Sequence, residues 1–571
     1  MRRVALVGGG PAAMFVLKRL LEAAPASLRV EIFEAGGRLG QGMPYSEEGA
    51  TREHITNVSA NELPDLPSPL HHWVRSLPQS VLDEYGIQRA SFDEEKVLPR
   101  LLFGRYLHET FAALIARARE AALPVEVHYH CRVVDLCDLP EKAALEVVTE
   151  HGERLEFDQV VICTGHRWPH EDDDPSSGYF SSPYPPAKIA RRMNHPVALR
   201  GSSLTAVDAI RTLARHNGSF GRSPSGELGF ERDPESPDFA VIMHSRNGLL
   251  PCVRFHLEDP QVVGVDLLGK DDYRAIRREN DGFVPLDAVF ESDFKAQIRE
   301  RDPVLYERIQ EMTLEQFVEA AMRSRERQEP FALFRAEYQE GRRSVALDRP
   351  IPWKEAISIL SFSMNYPAKY FSAEDMLRLK QTLAPLIAVV IAFLPHGACE
   401  ELLALHDAGA LDLVEVGAES RVERQEGGGI VYYYGDDASP AARPFATFVD
   451  CVGQPALAWD ELPFPTLLSQ GVFSQATVRF RDSRQGEIHA KGQPDDVRRE
   501  PDGGLRLLLP GVAIDDAFRP LDSQGRPHSR VQLMAVPYMG GHNPDYSGVD
   551  FCEEASQRIV AAMLGRAAIP R

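Results

Sequence analysis

A glycine-rich turn close to the amino terminus has the residue types and the spacing needed to bind a dinucleotide. The apolar run Val4–Val7 is followed by Gly8-Gly-Gly10-Pro11-Ala12-Ala and then by apolar residues at helical spacing. Gly8 permits a tight turn, Gly10 lets the backbone approach a pyrophosphate, and free N–H groups at the start of the helix attract that anion. The pattern predicts a strand, a turn and a helix that hold a nucleotide through Gly8, Gly10, Pro11 and Ala12.

An acidic residue ends the next predicted strand, which runs from Arg29 to Phe33. The carboxylate of this residue, Glu34, can accept hydrogen bonds from the ribose hydroxyls of a bound adenosine. Strand, turn, helix, strand and terminal acid together predict a Rossmann unit, whereas a glycine turn alone is weak evidence. These residues do not distinguish FAD from NAD.

Two later strands favour FAD. The apolar segment 157–163 closes on Thr164-Gly165, where the backbone can pass beside the dinucleotide, as is typical of flavoproteins that bind two dinucleotides. The strand predicted at 131–136 can place the Val133 backbone against the adenine edge, although an ordinary core strand explains the same residues.

The same order of strand, small-residue turn and helix returns from Val197 onwards. Its turn and first helical residues imply a second dinucleotide site. The residues predicted to line it are Gly201, Ser203, Leu204 and Thr205.

The strand that follows the second turn leads into Ser245 and Arg246 instead of an acid. A hydroxyl and a guanidinium suit the 2′-phosphate of a ribose, so NADPH is preferred to NADH. A surface turn capped by the same two residues is the alternative.

The order of these segments predicts an α/β fold with two Rossmann-like dinucleotide-binding domains, for FAD and NADPH, and a helical insertion. Helical periodicity dominates from about 293 to 412, and apolar strands return at 429–434 and 445–452, the latter reaching the strand-to-glycine exit Gly453-Gln454. The predicted parts are the first part of the FAD-binding domain (1–190), the first part of the NAD(P)H-binding domain (191–290), a helical insertion or substrate lid (291–415), return strands of the nucleotide domains (416–460), and a C-terminal part that completes the FAD domain (461–571).

A last helix is predicted after Gly548 and Val549. The free N–H groups at its start can face the carbonyl side of the flavin and stabilise negative charge on the reduced ring. A capped terminal helix without a ligand explains the same residues.

Composition excludes several classes of partner. The 571 residues carry a formal net charge of −21 at pH 7, which argues against nucleic acid or an anionic membrane. Seven cysteines without a C-x-x-C pair indicate neither disulfides nor a metal site and favour the cytoplasm. The apolar run 383–394 is too short to span a bilayer. A small-molecule partner is therefore expected, no metal is predicted, and homo-oligomer formation stays open.

The motifs collected along the first 260 residues resemble a bacterial family of FAD/NAD(P)-binding proteins. Beyond the two turns they include Gly37-Arg-Leu-Gly-Gln-Gly-Met-Pro-Tyr45, His54-Ile-Thr-Asn-Val58, Leu98-Pro-Arg100-x3-Gly104-x-Tyr106-Leu, Val161-Ile-Cys-Thr-Gly-His166 and Ser245-Arg-Asn-Gly-Leu-Leu-Pro251. The family is similar in layout to flavin-dependent N-hydroxylating monooxygenases, and some members oxidise the amino group of aspartate to nitrosuccinate in natural-product pathways.

This resemblance implies that Arg38, Gln41 and Asn57 lie along the FAD, with the segments Gly42 to Tyr45 and Asn57-Val58 near the isoalloxazine. The sequence departs from the family at two positions of the second site. Ser203 replaces the second glycine of its turn, and Asn247 replaces an arginine that commonly follows Ser-Arg.

The leading functional hypothesis is an NADPH-dependent flavin monooxygenase that oxygenates an amine nitrogen through a flavin C4a-hydroperoxide. Its substrates are then oxygen and a small amine or amino acid such as aspartate. Arginines that could hold a substrate carboxylate are chosen on chemical type only, and structural ion pairs are the alternative for them: Arg100, Arg105 and Arg254. An NAD(P)H-dependent flavin reductase or dehydrogenase, and an FAD-binding redox-responsive protein without turnover, remain open. The sequence identifies no acid or base.

Overall fold

The computed structural model describes residues 1–25, 27–166, 173–262, 265, 267–435, 439–453, 456–542, 544 and 548–565. The strands, in chain order, are β1 Arg2–Val7, β2 Leu28–Phe33, β3 Ile55–Ser59, β4 Val97–Pro99, β5 Val125–His128, β6 Val133–Leu139, β7 Ala144–Thr149, β8 Arg154–Phe157, β9 Gln159–Ile162, β10 Tyr179–Phe180, β11 Pro196–Arg200, β12 Gly218–Arg222, β13 Leu228–Arg232, β14 Ala240–Ser245, β15 Leu411–Glu415, β16 Arg421–Arg424, β17 Ile430–Tyr434, β18 Ala441–Phe445, β19 Thr447–Asp450, β20 Gln475–Arg479, β21 Val497–Arg499, β22 Leu505–Val512 and β23 Val531–Leu533.

The α-helices are α1 Pro11–Ala23, α2 Leu70–Ser76, α3 Gln79–Glu84, α4 Arg100–Glu120, α5 Leu204–Asn217, α6 Lys270–Glu279, α7 Leu286–Val289, α8 Ala296–Arg301, α9 Pro303–Ile309, α10 Leu314–Glu326, α11 Pro330–Ala346, α12 Pro352–Ser363, α13 Ala373–Arg378, α14 Ala384–Val390, α15 His396–Asp407, α16 Pro465–Ser469, α17 Ser483–Gly492 and α18 Gly548–Met563. Turns of π-helix join α7 to α8 and α13 to α14. Within the described part of the chain, no helix combines the length and the apolarity needed to cross a membrane.

The first sheet is parallel throughout, with the strand order β23-β9-β1-β2-β5. Residues 4–6 of its central strand β1 are completely buried, as expected for a parallel sheet covered on both faces. Helix α1 packs against α18 and α4 beside this sheet. The sheet therefore combines strands from both ends of the chain.

The second sheet is also parallel, with the order β10-β19-β11-β14-β15. Helix α5 follows its central strand β11, as α1 follows β1. The predicted α/β fold with two Rossmann-like sheets is confirmed. The strand predicted at 445–452 is β19 of this second sheet, whereas the strand predicted at 429–434 is β17 of a separate antiparallel sheet.

The helical block begins earlier than the sequence periodicity indicates. Helix α6 starts at Lys270, inside the segment predicted to belong to the second nucleotide-binding domain, and its Tyr273 is buried in the core of the block. Side chains of β20 and β22, including Val478 and Leu507, pack into the same core. The domain bounds given above stay a prediction.

A buried histidine joins the β20–β22 sheet to the segment before α18. The His542 ring accepts a hydrogen bond from the Ile514 N–H at Nδ1 (3.4 Å) and contacts the Thr477 carbonyl through Nε2 (3.4 Å). Both contacts suit a neutral ring, and burial lowers the pKa of His542 from 6.5 to about 4.

We expect this histidine to make the protein sensitive to mild acid. Its stabilising effect is complete above about pH 6.5 and is lost as the pH falls towards 4, because the unfolded chain then binds a proton that the folded chain does not. The free energy of unfolding should fall by about 2 kcal/mol more in wild type than in His542→Gln between pH 7 and pH 5. Urea unfolding at the two pH values measures this, with the exposed His151→Gln as control. Equal losses in all three proteins would contradict it.

Candidate functional site

The first glycine turn lies directly against the strand that returns beside it. The Gly8 N–H donates to the Phe33 carbonyl (2.9 Å), and the Cys163 N–H donates to the Val7 carbonyl (2.8 Å). Gly8 has a φ of +103°, and a Cβ atom added to it would lie 2.6 Å from the Cys163 carbonyl oxygen. Only glycine fits this position without strain. The turn and the end of β9 therefore form one unit.

The start of α1 is left open for an anion. Gly10 caps the helix without a side chain, and Pro11 is its first residue. A Cβ atom on Gly10 would lie 3.7 Å from the Gly42 Cα, so two glycines face each other across the turn. The buried hydroxyl of Thr164, just beyond β9, has no hydrogen-bond partner among the described residues. An open helix end, a glycine-lined cradle and an unpartnered hydroxyl fit a bound pyrophosphate.

Glu34 is tied to the turn by its own carboxylate. It accepts hydrogen bonds from the Gly9 N–H (2.8 Å) and the Gly36 N–H (2.6 Å), one at each oxygen. A carboxylate has about four acceptor positions, so capacity remains for ribose hydroxyls. The acid lies beside the turn, as the ribose role requires.

The other predicted FAD residues are spread over several segments. Arg38 is 60% exposed and pairs with Glu47, and Gln41 is half-buried. Asn57 and Val58 lie in β3. Val133 begins β6, which belongs to an antiparallel sheet separate from the parallel one. Their contacts with FAD stay a prediction.

Tyr45, the last residue of the glycine-containing segment 40–45, lies near the start of α18. Burial raises the pKa of Tyr45, and the charges of Arg100 and Asp550 act on the same hydroxyl. Asp550 follows Gly548, which has a φ of +74°, and the buried Val549. The segment that ends at Tyr45 therefore lies near the start of α18, and the contact of both segments with the flavin stays a prediction.

The second turn repeats the hydrogen bonds of the first. The Gly201 N–H donates to the His244 carbonyl (2.8 Å), and the Cys451 N–H donates to the Arg200 carbonyl (2.8 Å). Gly201 has a φ of +109°, and an added Cβ atom would lie 2.9 Å from the Cys451 carbonyl oxygen. Gly453 lies after strand β19, as predicted for the exit from this strand, and Gln454 lies outside the described residues.

This register assigns equivalent positions in the two units. Ser203, the residue that caps α5, corresponds to Gly10 and is exposed, and Leu204 and Thr205 are the first residues of α5. Ser245 corresponds to Glu34 because each follows the residue whose carbonyl binds the turn. Its hydroxyl is buried and has no partner within the described ranges.

Arg246 follows Ser245 and is exposed. No ion pair of its guanidinium occurs in the described part of the chain. A buried, unpartnered hydroxyl beside an exposed guanidinium is a donor set that fits a phosphate monoester. The neighbouring His244 is stacked on Tyr432, and burial lowers its pKa to about 4, so the ring adds no positive charge at neutral pH.

The three arginines chosen as carboxylate ligands all form ion pairs within the protein. Arg105 is exposed on α4 and pairs with Glu109 (2.9 Å). Arg100 is half-buried and pairs with Asp208 (2.7 Å), and Arg254 is buried and pairs with Glu62. The ion-pair alternative is thus observed for each, and their substrate role stays a prediction.

Residues 5–167 match the protein family described as FAD-NAD(P)-binding. The amino-terminal part of this chain is an FAD/NAD(P)-binding domain. The first glycine turn, Glu34 and the return strand β9 all lie inside the matched range. The helical block carries a second match, to the YdhS-like middle domain over residues 270–391, which begins where α6 begins.

Two relatives were found by sequence. The uncharacterized protein YdhS of Escherichia coli K12 is 26% identical over 570 residues, 99% of this chain and 98% of the relative. An L-aspartate N-monooxygenase (nitrosuccinate-forming) of Streptomyces cremeus is 27% identical over 303 residues, 46% of this chain and 44% of that enzyme. The similarity to the enzyme thus covers less than half of each chain.

Two solved structures of ornithine hydroxylases align over nearly all of this chain, with TM-scores below 0.5. An ornithine N-hydroxylase of Kutzneria sp. 744 aligns with a TM-score of 0.41 at 14% identity, over 98% of both chains. The ornithine hydroxylase of Pseudomonas aeruginosa aligns with a TM-score of 0.46 at 12% identity, over 99% of both chains.

A buried polar group around Arg100 was not predicted from the sequence. It consists of His54, Tyr184 and Asp208, and the Tyr184 hydroxyl donates to the Asp208 carboxylate. Burial opposes ionisation of Asp208, but Arg100 and His54 outweigh it and lower its pKa. Burial also lowers the pKa of His54. These residues come from separate segments, so no local pattern could have brought them together.

Proposed function

We propose that this chain is an NADPH-dependent flavin monooxygenase that transfers one oxygen atom to the amine nitrogen of a small substrate, with amino acids such as aspartate as the first candidates. The observation that carries the proposal is the second Rossmann-like unit. There Ser245 and Arg246, at the end of β14, stand in the place that Glu34 has in the first unit. The partial similarity to an L-aspartate N-monooxygenase supports an amine as the oxygen acceptor.

The residues present divide the work between two sites. The open end of α1, Gly10 and Thr164 would hold the FAD pyrophosphate, and Glu34 the adenosine ribose. The open end of α5, Ser245 and Arg246 would hold NADPH. When bound, FAD supplies the transfer of two electrons from NADPH to molecular oxygen.

An N-oxygenating site must also keep the substrate amine neutral and exclude water. Tyr45 is suited to such a place, because the burial that raises the pKa of its phenol is a sign of restricted access by water.

The decisive experiment is to incubate the purified protein, loaded with FAD, with NADPH, isotopically labelled oxygen gas and a panel of amino acids and amines. Mass spectrometry should find one substrate that gains a labelled oxygen atom. NADPH oxidation that yields hydrogen peroxide and no oxygenated product would favour a flavin reductase. If neither NADPH nor NADH bleaches the flavin, the protein binds FAD without turnover.

The preference for NADPH over NADH is tested separately with the substitution Arg246→Ala. Loss of one charge-assisted hydrogen bond costs about 1.5–3 kcal/mol, so the Kd for NADPH should rise about 10- to 100-fold. The Kd for NADH should change by less than about twofold, because NADH lacks the phosphate. Titration of both nucleotides measures this.

Arg335→Ala is the matched control, because Arg335 is an exposed arginine on α11 that pairs with Asp407. Equal weakening of both nucleotides by Arg246→Ala would contradict the 2′-phosphate role.

A further inference from the structure

Arg254 reaches from the second nucleotide-binding unit into the first. Arg254 lies in the loop that follows β14, and only 5% of its surface is exposed. Its guanidinium donates to the Asn57 carbonyl and to the Ser59 hydroxyl (2.9 Å), and it pairs with Glu62. Strand β3 and the turn after it are thus held by an arginine from the other unit.

Arg100 reaches in the opposite direction, from α4 of the first unit to α5 of the second. It is the first residue of α4, where its N–H donates to the His54 carbonyl (2.8 Å) and its Nε to the Ile55 carbonyl (3.3 Å). Its Nη1 pairs with Asp208 of α5 (2.7 Å), and Asp208 is 4% exposed. Asp208 lies one turn after the start of α5, the helix that follows Gly201.

The two arginines converge on one strand. The carbonyl groups of Ile55 and Asn57, two residues apart in β3, each accept a hydrogen bond from one guanidinium. Asn57 and Val58 are the residues of β3 expected beside the flavin. The strand is therefore fixed from both units at the level of its backbone.

His54, directly before β3, makes a third contact between the units. Its Nε2 lies 3.0 Å from the Thr212 hydroxyl of α5. Three carboxylates balance the three arginines around Arg100. Asp208 pairs with Arg100, Glu401 pairs with Arg211 and Arg215, and Glu53 accepts a hydrogen bond from the Thr212 hydroxyl (2.9 Å). The carboxylate of Asp208 already neutralises the charge of Arg100, so little attraction is left there for a substrate carboxylate.

We propose that Arg100 and Arg254 are positioning residues that hold strand β3 against the second unit, Arg100 through α5 and Arg254 through the loop after β14, and so fix the distance between the two bound cofactors. This inference rests on the proposed function for its kinetic consequence, while the geometry it describes belongs to the protein alone. Neither arginine is then a ligand of the substrate.

The experiment compares Arg100→Lys, Arg100→Gln and Arg254→Gln with wild type. Anaerobic stopped-flow mixing with NADPH, without any amine, gives the rate of flavin reduction and the Kd for NADPH. We expect the Gln variants to reduce flavin about 10- to 100-fold more slowly, because small misplacements of reacting groups cost up to about that much. The Kd should stay within about threefold, and Arg100→Lys should recover part of the rate through its pair with Asp208.

Arg119→Gln is the matched control, because Arg119 is an exposed arginine on the same helix α4. It should behave as wild type. Wild-type reduction rates in folded Gln variants, with a raised KM for an amino-acid substrate, would overturn the proposal and make these arginines substrate ligands.

A second measurement does not depend on turnover. Hydrogen exchange of the apoprotein should speed up in residues 55–59 in both Gln variants, and in α5 for Arg100→Gln. Unchanged exchange in both segments would overturn the proposal. If wild-type flavin is reduced by neither nucleotide, the proposed function fails, and this exchange measurement alone decides the positioning role.

Discussion

Gly8→Ala is expected to yield a protein that retains little FAD. The added methyl group would lie 2.6 Å from the Cys163 carbonyl oxygen, and the φ of +103° is one that alanine rarely adopts. Such backbone strain alone costs about 1–3 kcal/mol, before the clash with a backbone atom that cannot rotate away. Because the turn would have to move off β9, the amount of FAD that copurifies should fall at least about tenfold.

The flavin absorbance of the purified protein, relative to its protein absorbance, measures this effect. Gly397→Ala is the matched control, since Gly397 is exposed in α15 and an added Cβ atom would contact nothing within 4 Å. Full flavin content in Gly8→Ala would contradict the assignment of the first turn to FAD.

Gly201→Ala is expected to separate the two nucleotides. Its methyl group would lie 2.9 Å from the Cys451 carbonyl oxygen at a φ of +109°, so the second turn suffers the same strain as the first. The FAD site is untouched, and the protein should remain yellow. The Kd for NADPH should rise at least about tenfold, with a parallel loss of flavin reduction at low NADPH.

Anaerobic titration of the flavin absorbance with NADPH gives the result, and dithionite serves as the control reductant. Dithionite should bleach Gly201→Ala as fully as wild type, because it does not need the nucleotide site. A variant that loses FAD together with NADPH binding would show that the two turns do not serve separate cofactors.

The parts of the site that could be predicted from the sequence are those made by neighbouring residues. The turns at Gly8 and Gly201 are local, because steric limits on the backbone and an open helix end are visible in a few consecutive residues. The strands that lead into them and the acid Glu34 follow from the same short pattern.

The arginines show where such reasoning ends. Residue type alone made Arg100 and Arg254 candidates for a substrate carboxylate, but the sequence does not show that Asp208 and Glu62 reach them from distant segments. Buried ion pairs depend on tertiary contacts, and they follow no local period.

Helix α6 illustrates a different limit. Its residues are mostly charged, and only Tyr273 among them is buried. A helix with so narrow an apolar face gives a weak hydrophobic period, so the sequence periodicity does not indicate a helix at Lys270.

The first sheet has a consequence for the order of events during protein synthesis. Strand β23 pairs with β9, and α18 packs on α1, so segments synthesised far apart in time meet in one unit. Helix α1 and strand β9 emerge from the ribosome early and must wait, with apolar surface uncovered, until residues 531–563 are made. The second sheet needs no such late segment, because its last strand is β19. It can therefore fold first, although its own first strand is translated after the glycine turn at Gly8.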